Sequence, residues 1–151
     1  ERVRAKTIVM TTTNGTKALR ACAQARATLV GALLNLRALA AALREAQPEH
    51  LLLVCSGTHE EAAYEDTLGA GALCEEIWPM YREAHVSDSA QIARQIFLRE
   101  RDDLAMAMQR ARNGRRLLCI PELAADVPYC LQIGVIPLVP RLQADGRVTA
   151  G

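Results

Sequence analysis

The sequence predicts an α/β fold, a three-layer α/β/α domain with a largely parallel sheet that is mixed at one edge. Three observations predict it. Apolar, β-branched stretches alternate with stretches rich in Ala, Leu and Arg at helical spacing. The strand candidates lack polar alternation, which is the signature of strands covered on both faces. Each is followed by a short polar segment that can open a helix. With 151 residues, 50% of them hydrophobic, the chain can form one domain, 1–151, with a full core.

Taken in order, Thr7 to Met10 reads as the first strand, Thr11 to Thr16 as its polar exit turn, and Lys17 to Arg26 as a helix. Thr28 to Leu34 is the second apolar segment, and Asn35 is placed to cap a helix over Leu36 to Ala46, a run of strong helix formers. Gln47-Pro48-Glu49 ends that helix. Leu51 to Cys55 is the third strand, expected to be buried, with Ser56-Gly57-Thr58 as its exit and a helix following from Glu65 to Trp78. Gly69 and Gly71 inside that helix each cost about 1 kcal/mol relative to Ala, so the helix is expected to press closely against a neighbour. Beyond Pro79, helical stretches cover Ser87 to Arg99 and Asp102 to Arg112, the second stopped by Asn113-Gly114. The tail offers an apolar run, Ile133 to Val139, and a hairpin turn at Asp145-Gly146 that lets antiparallel pairing finish the sheet.

Charge and composition exclude several classes. Lys plus Arg number 18 against 17 Asp plus Glu, a net charge of +1, so no overall field holds nucleic acid or an anionic membrane. The arginines between Arg99 and Arg116 are interrupted by Glu100, Asp102 and Asp103, and aromatic residues are too few to stack bases. No apolar run approaches the roughly 18 residues of a membrane span. The five cysteines form no CxxC pair, which predicts free thiols and a cytoplasmic location. The expected partner is a small molecule, with neither nucleic acid nor membrane, and a homo-oligomer is compatible with the composition.

In a parallel sheet the strand exits converge on one edge, where helix amino termini present unpaired N–H groups to anions. The first exit, with Thr12, Thr13, Asn14, Gly15 and Thr16, is the leading anion site; the plainer reading is that Asn14 or Thr16 only caps the helix. Ser56, Gly57 and Thr58 repeat the polar-Gly-Thr pattern and form a second such turn on the same edge. Glu65 and Asp66, adjacent at a helix start, suit Mg²⁺ as hard oxygen ligands or act on protons, although acids in a first helical turn also favour the helix dipole unaided. There is no HxH or HExxH pair for zinc, no GxxxxGK[ST] loop and no DxDx[TV] strand end. Cys55 ends a strand as in thiol phosphatases, yet Glu61 stands where that signature needs an Arg, so Cys55 reads as a buried thiol. His59 reads as a surface residue beside Glu60 and Glu61.

The strings from Thr11 to Arg20, from Leu53 to Thr58 and from Glu65 to Leu73, in this order and spacing, resemble the 2-phosphosulfolactate phosphatase family. Asn35, Asn113 to Leu117 and Asp126 to Cys130 extend the resemblance over nearly the whole chain. It implies an α/β/α phosphoric monoester hydrolase that uses Mg²⁺ to convert 2-phospho-3-sulfolactate, or a similar small phosphorylated acid, into 3-sulfolactate and phosphate in coenzyme M biosynthesis. Glu65 and Asp66 are then the catalytic and metal residues, and the two Thr turns hold phosphate and sulfonate. Members of the family carry a further amino-terminal Asp-Val-(Leu/Phe)-Arg-Ala-(Thr/Ser) motif that this chain lacks, so the chain reads as the carboxyl-terminal part of a longer phosphatase. Gln132-Ile133-Gly134 also stands where the family more often has an Asp. The alternative is a non-catalytic anion-binding or interaction domain.

Overall fold

The computed structural model describes residue 3, residues 6–82 and residues 85–150. It overturns the expected parallel sheet. Eight helices dominate the described residues: α1 (Gly15–Ala21), α2 (Leu36–Ala46), α3 (Tyr64–Ile77), α4 (Asp88–Glu100), α5 (Leu104–Arg110), α6 (Arg112–Leu118), α7 (Pro121–Ala124) and α8 (Asp126–Cys130). The sheet has two strands, β1 (Pro140–Leu142) and β2 (Val148–Ala150), paired antiparallel with Arg141 opposite Thr149. Their turn contains Asp145 and Gly146, the latter at φ +83°, so the hairpin turn read from the sequence is present.

The three strand candidates fail for one reason. A strand exists through a ladder partner, and an apolar run supplies side chains without specifying whose backbone lies alongside. Among the described residues, 7–10 and 51–55 form no backbone hydrogen bond, and most of their side chains stand in solvent, with Val9 95% and Leu52 82% exposed; Leu53 is the exception, half-buried against the first core. The middle segment comes closest: Leu29 bridges Arg141 in antiparallel sense, Val30 N–H donates to the Pro140 carbonyl at 2.9 Å, and Thr28 accepts from Leu142 N–H at 3.0 Å. Ile133 to Val139 runs beside it as irregular chain, Gly134 and Ile136 donating to Leu33 and Leu34.

The helices follow their local signals more closely. α2 spans the expected residues and turns Leu36, Leu39, Ala40 and Leu43 inward at helical spacing. Asn35 stands at its amino end but caps nothing; buried, it accepts from Ala32 N–H at 2.8 Å and donates to the Val30 and Leu138 carbonyls. α4 begins at Ser87 and α5 at Asp103, whose side chains accept from the amides of Ala90 and Met106. The first core joins α2 to Ala72, Leu73 and Ile77 of α3 and Phe97 of α4; the second joins Leu68 of α3 to Ala107, Met108, Ala111 and Val127.

Two glycines let the helices meet. A Cβ on Gly71 would lie 2.0 Å from the Ala93 carbonyl oxygen, so α3 touches α4 there, while Gly69 has open space and no such reason. A Cβ on Gly114 would lie 2.1 Å from the Met108 carbonyl oxygen. That contact explains a second correction: Asn113-Gly114 does not stop a helix but lies within α6, and the break falls at Ala111, whose backbone is extended. Among the described residues no helix is long and apolar enough to cross a membrane.

Candidate functional site

The start of α3 is anchored from below. Tyr64, its first residue, donates its hydroxyl to Glu100 Oε1 at 2.9 Å, and Arg110 reaches Glu100 Oε2 at 2.5 Å, so this buried carboxylate is satisfied at the corner of α4 and α5. Partial burial, followed by the Glu100 contact, pushes the Tyr64 hydroxyl above its usual range and keeps it a donor. Glu65 and Asp66 follow in the first turn, where the helix dipole favours them.

The two acids face different partners. Asp66 Oδ2 accepts from Ser56 Oγ at 3.1 Å and from Gly57 N–H at 2.8 Å, which clamps the Ser56-Gly57-Thr58 turn onto α3. The clamped chain then reverses sharply. Thr58 and Glu61 exchange backbone hydrogen bonds of 2.9 and 3.1 Å across His59 and Glu60, which sit at φ +52° and +66°. Two successive left-handed residues without glycine cost about 1–2 kcal/mol each, so surrounding contacts must hold this turn. Gly57, at φ +66°, is required as well, because a Cβ there would lie 2.5 Å from the Glu61 carbonyl oxygen.

Those contacts come from α6. Arg112 reaches Glu61 Oε2 at 2.8 Å and the Thr58 carbonyl at 3.1 Å. Asn113 donates from Nδ2 to Thr58 Oγ1 at 2.8 Å and to Glu65 Oε1. Glu65 Oε2 is buried and, among the described residues, has no hydrogen-bond partner. An ionised oxygen in that condition is costly unless a proton or a cation lies against it. Glu61, Tyr64, Glu65, Arg112 and Asn113 line a cavity of about 230 Å³ between the starts of α3 and α6. Among the described residues, Arg112 is the one cation in its wall, opposed by the carboxylates of Glu61 and Glu65.

The structure therefore brings together Ser56, Gly57, Thr58, Glu65 and Asp66. The first turn is not bonded to this group: among the described residues no hydrogen bond links Thr12, Thr13, Asn14, Gly15 or Thr16 to them. Thr12 Oγ1 instead accepts from Thr16 N–H at 2.8 Å, and Thr16 Oγ1 donates to the Thr12 carbonyl at 3.0 Å, capping a seven-residue helix with no buried side chain. Asn14 stands at the cap position but makes no side-chain cap bond. His59 is exposed, as expected. Cys55 is exposed rather than buried. Partial desolvation and the neighbouring Asp66 charge still push its thiol above the usual range, which disfavours the thiolate a nucleophile would need. Asn113 and Arg112 are the site residues that sequence reasoning missed. Asn113 entered the sequence reading only as part of the family resemblance, because Asn-Gly reads first as a turn, and nothing in the sequence singled out Arg112.

Comparison with known proteins agrees in one direction. A family model described as 2-phosphosulpholactate phosphatase matches residues 1–145. A protein of Symbiobacterium thermophilum named "Probable 2-phosphosulfolactate phosphatase" is 32% identical over 147 residues, covering 97% of this chain and 62% of its own length. Similarly named proteins of Gloeobacter violaceus and Thermosynechococcus vestitus are each 34% identical, over 100% and 93% of this chain and 61% and 59% of their own lengths. The chain thus spans about three fifths of the length of the curated relatives it matches.

Proposed function

The chain belongs to the 2-phosphosulfolactate phosphatase family, and from that premise we propose that it forms part of a phosphoric monoester hydrolase acting on 2-phospho-3-sulfolactate or a closely similar phosphorylated acid. Hydrolysis forms one P–O bond from water and breaks the ester P–O bond, and the departing oxygen on the lactate carbon takes up a proton. The products in this reading are 3-sulfolactate and phosphate, a step of the coenzyme M biosynthesis type that the family resemblance implies. Five free thiols support a reducing, cytoplasmic setting.

One observation carries the choice of site: the buried, unpaired Oε2 of Glu65 beside the cavity that Arg112 also lines. The donor set fits Mg²⁺. Among the described residues no cluster of three or more His, Cys, Asp or Glu side chains forms a metal cage. Mg²⁺ commonly takes only one or two carboxylates, with phosphate oxygens and waters completing its shell. Glu65 would hold it through Oε2, while Asp66, proposed with it as a metal residue, binds Ser56 and Gly57 through Oδ2 and does not line this cavity. When bound, the ion neutralises phosphate charge and acidifies a coordinated water.

The chain's own residues do the rest. Asp66 holds the Ser56-Gly57-Thr58 turn in place, Tyr64 seats the helix start, and Arg112 gives the anionic substrate a positive partner in a wall that also carries Glu61 and Glu65. Exchange of Arg112 from Glu61 to a substrate anion replaces one charge-assisted contact by another. Thr12 to Thr16 enter this reading only as a second turn able to hold an anion, one that does not line the Glu65 cavity.

The test is phosphate release from 2-phospho-3-sulfolactate with Mg²⁺ and with excess chelator, on this chain and on a form as long as its relatives. Turnover is expected with Mg²⁺ and not with chelator. Glu65→Gln is expected to lower kcat/KM by about 10²-fold or more, the scale of losing an electrostatic catalytic group. An unchanged rate in Glu65→Gln would remove Glu65 from the site, and anion binding without turnover in both lengths would support a binding domain instead.

A further inference from the structure

We propose that Asn113 is a positioning residue for Glu65, holding one carboxylate oxygen so that the other is kept for a cation. The inference rests on the reading of Glu65 as a Mg²⁺ holder and deepens it. The geometry of the amide is the starting point. A side-chain amide has two N–H donors, and both are used here: one on Thr58 Oγ1 at 2.8 Å, the other on Glu65 Oε1. Flipping the amide would set its carbonyl oxygen against the carboxylate, so the network admits one orientation.

The division of the carboxylate follows. Oε1 is engaged, while Oε2 is buried without a donor. A neutral donor suits this position because it fixes the carboxylate without cancelling its charge. A Lys or Arg there would itself be the counter-ion and would leave Glu65 little to offer a metal. Outer partners of this kind orient metal-binding carboxylates and tune their affinity.

Asn113 can do this because its own backbone is held. It lies in the first turn of α6, whose Gly114 rests on the Met108 carbonyl and whose Arg112 grips Glu61 and the Thr58 carbonyl. The amide thereby ties α6 to two neighbouring pieces of chain, 55 and 48 residues earlier: the Ser56-to-Thr58 turn and the start of α3.

The experiment measures Mg²⁺ binding by titration calorimetry, metal alone and no substrate, on the full-length protein. Unfolding midpoints without Mg²⁺ are recorded in parallel. Asn113→Ala is expected to weaken Mg²⁺ binding about ten-fold, within the range reported for loss of an outer-shell partner. Its unfolding midpoint without metal should also fall, since the Thr58 and Glu65 contacts are lost, so binding is compared at a temperature where every variant is folded. Asn113→Ser, which keeps a donor of shorter reach, should fall between Asn113→Ala and wild type, and it decides the matter if Asn113→Ala does not fold. Glu65→Gln serves as the reference. If Glu65→Gln weakens Mg²⁺ binding while both Asn113 variants stay within two-fold of wild type, the positioning role is wrong and Glu65 remains the holder. If wild type binds no Mg²⁺, or Glu65→Gln binds it as tightly as wild type, the reading beneath the proposal falls with it.

Discussion

Asn14-Gly15-Thr16 and Ser56-Gly57-Thr58 carry nearly the same pattern, a small polar residue, a glycine and a threonine, and they have opposite fates. The first is bonded only to its own neighbours, Thr12 and Thr16 trading hydrogen bonds at the start of an exposed helix. The second is gripped from two sides, by Asp66 of α3 and by Arg112 and Asn113 of α6. Local chemistry makes either turn able to bind an anion. Only the second is also held in a strained shape by distant parts of the chain, which is the condition under which backbone strain persists at functional sites.

The comparison is broken most directly at its glycines. Gly57→Ala must place a side chain at φ +66° and against the Glu61 carbonyl, a loss of about 3 kcal/mol in chemical denaturation. Gly15→Ala meets only the Thr12 hydroxyl, at 3.3 Å, and is expected to stay within about 0.5 kcal/mol of wild type. Equal losses at the two positions would show that the turns are held alike.

Removing the clamp gives the next effect. Asp66→Ala leaves the Gly57 amide and the Ser56 hydroxyl without their charged acceptor and should cost about 2 kcal/mol. Thr12→Ala removes a cap from a short exposed helix and should cost about 0.5–1 kcal/mol, read by the same unfolding curves. The smallest change runs the other way. Glu60→Gly relieves a left-handed residue in the held turn and should raise stability by about 0.5–1 kcal/mol; a loss there would mean that Glu60 contributes more than strain.

Much of the helical part was legible in the letters. α2 follows its run of helix formers, α4 begins at the expected Ser87, α5 is capped by Asp103, one residue beyond the expected start at Asp102, and the tail turns at Asp145 and Gly146. The Gly69-Ala70-Gly71 stretch announced a close approach, although only the packing singles out Gly71. At the site, Glu65 and Asp66 were visible as an acidic pair, but not that they face different partners. Asn113 was hidden by its neighbour, since Asn-Gly suggests a stop unless Met108 is known to lie against Gly114.

By itself, then, the sequence determined where α2 and α4 begin, the run of apolar residues along α2, and kinship with the phosphatase family. These are set by nearby residues or by residue identity in a linear order. Tertiary structure alone decided that 7–10 and 51–55 stand without ladder partners, that one of two similar turns is locked, and that an asparagine 48 residues from Glu65 reaches its carboxylate. The physical reason is the same in all three: a hydrogen bond needs a donor and an acceptor brought face to face, and the identity of one partner does not say where the other will lie.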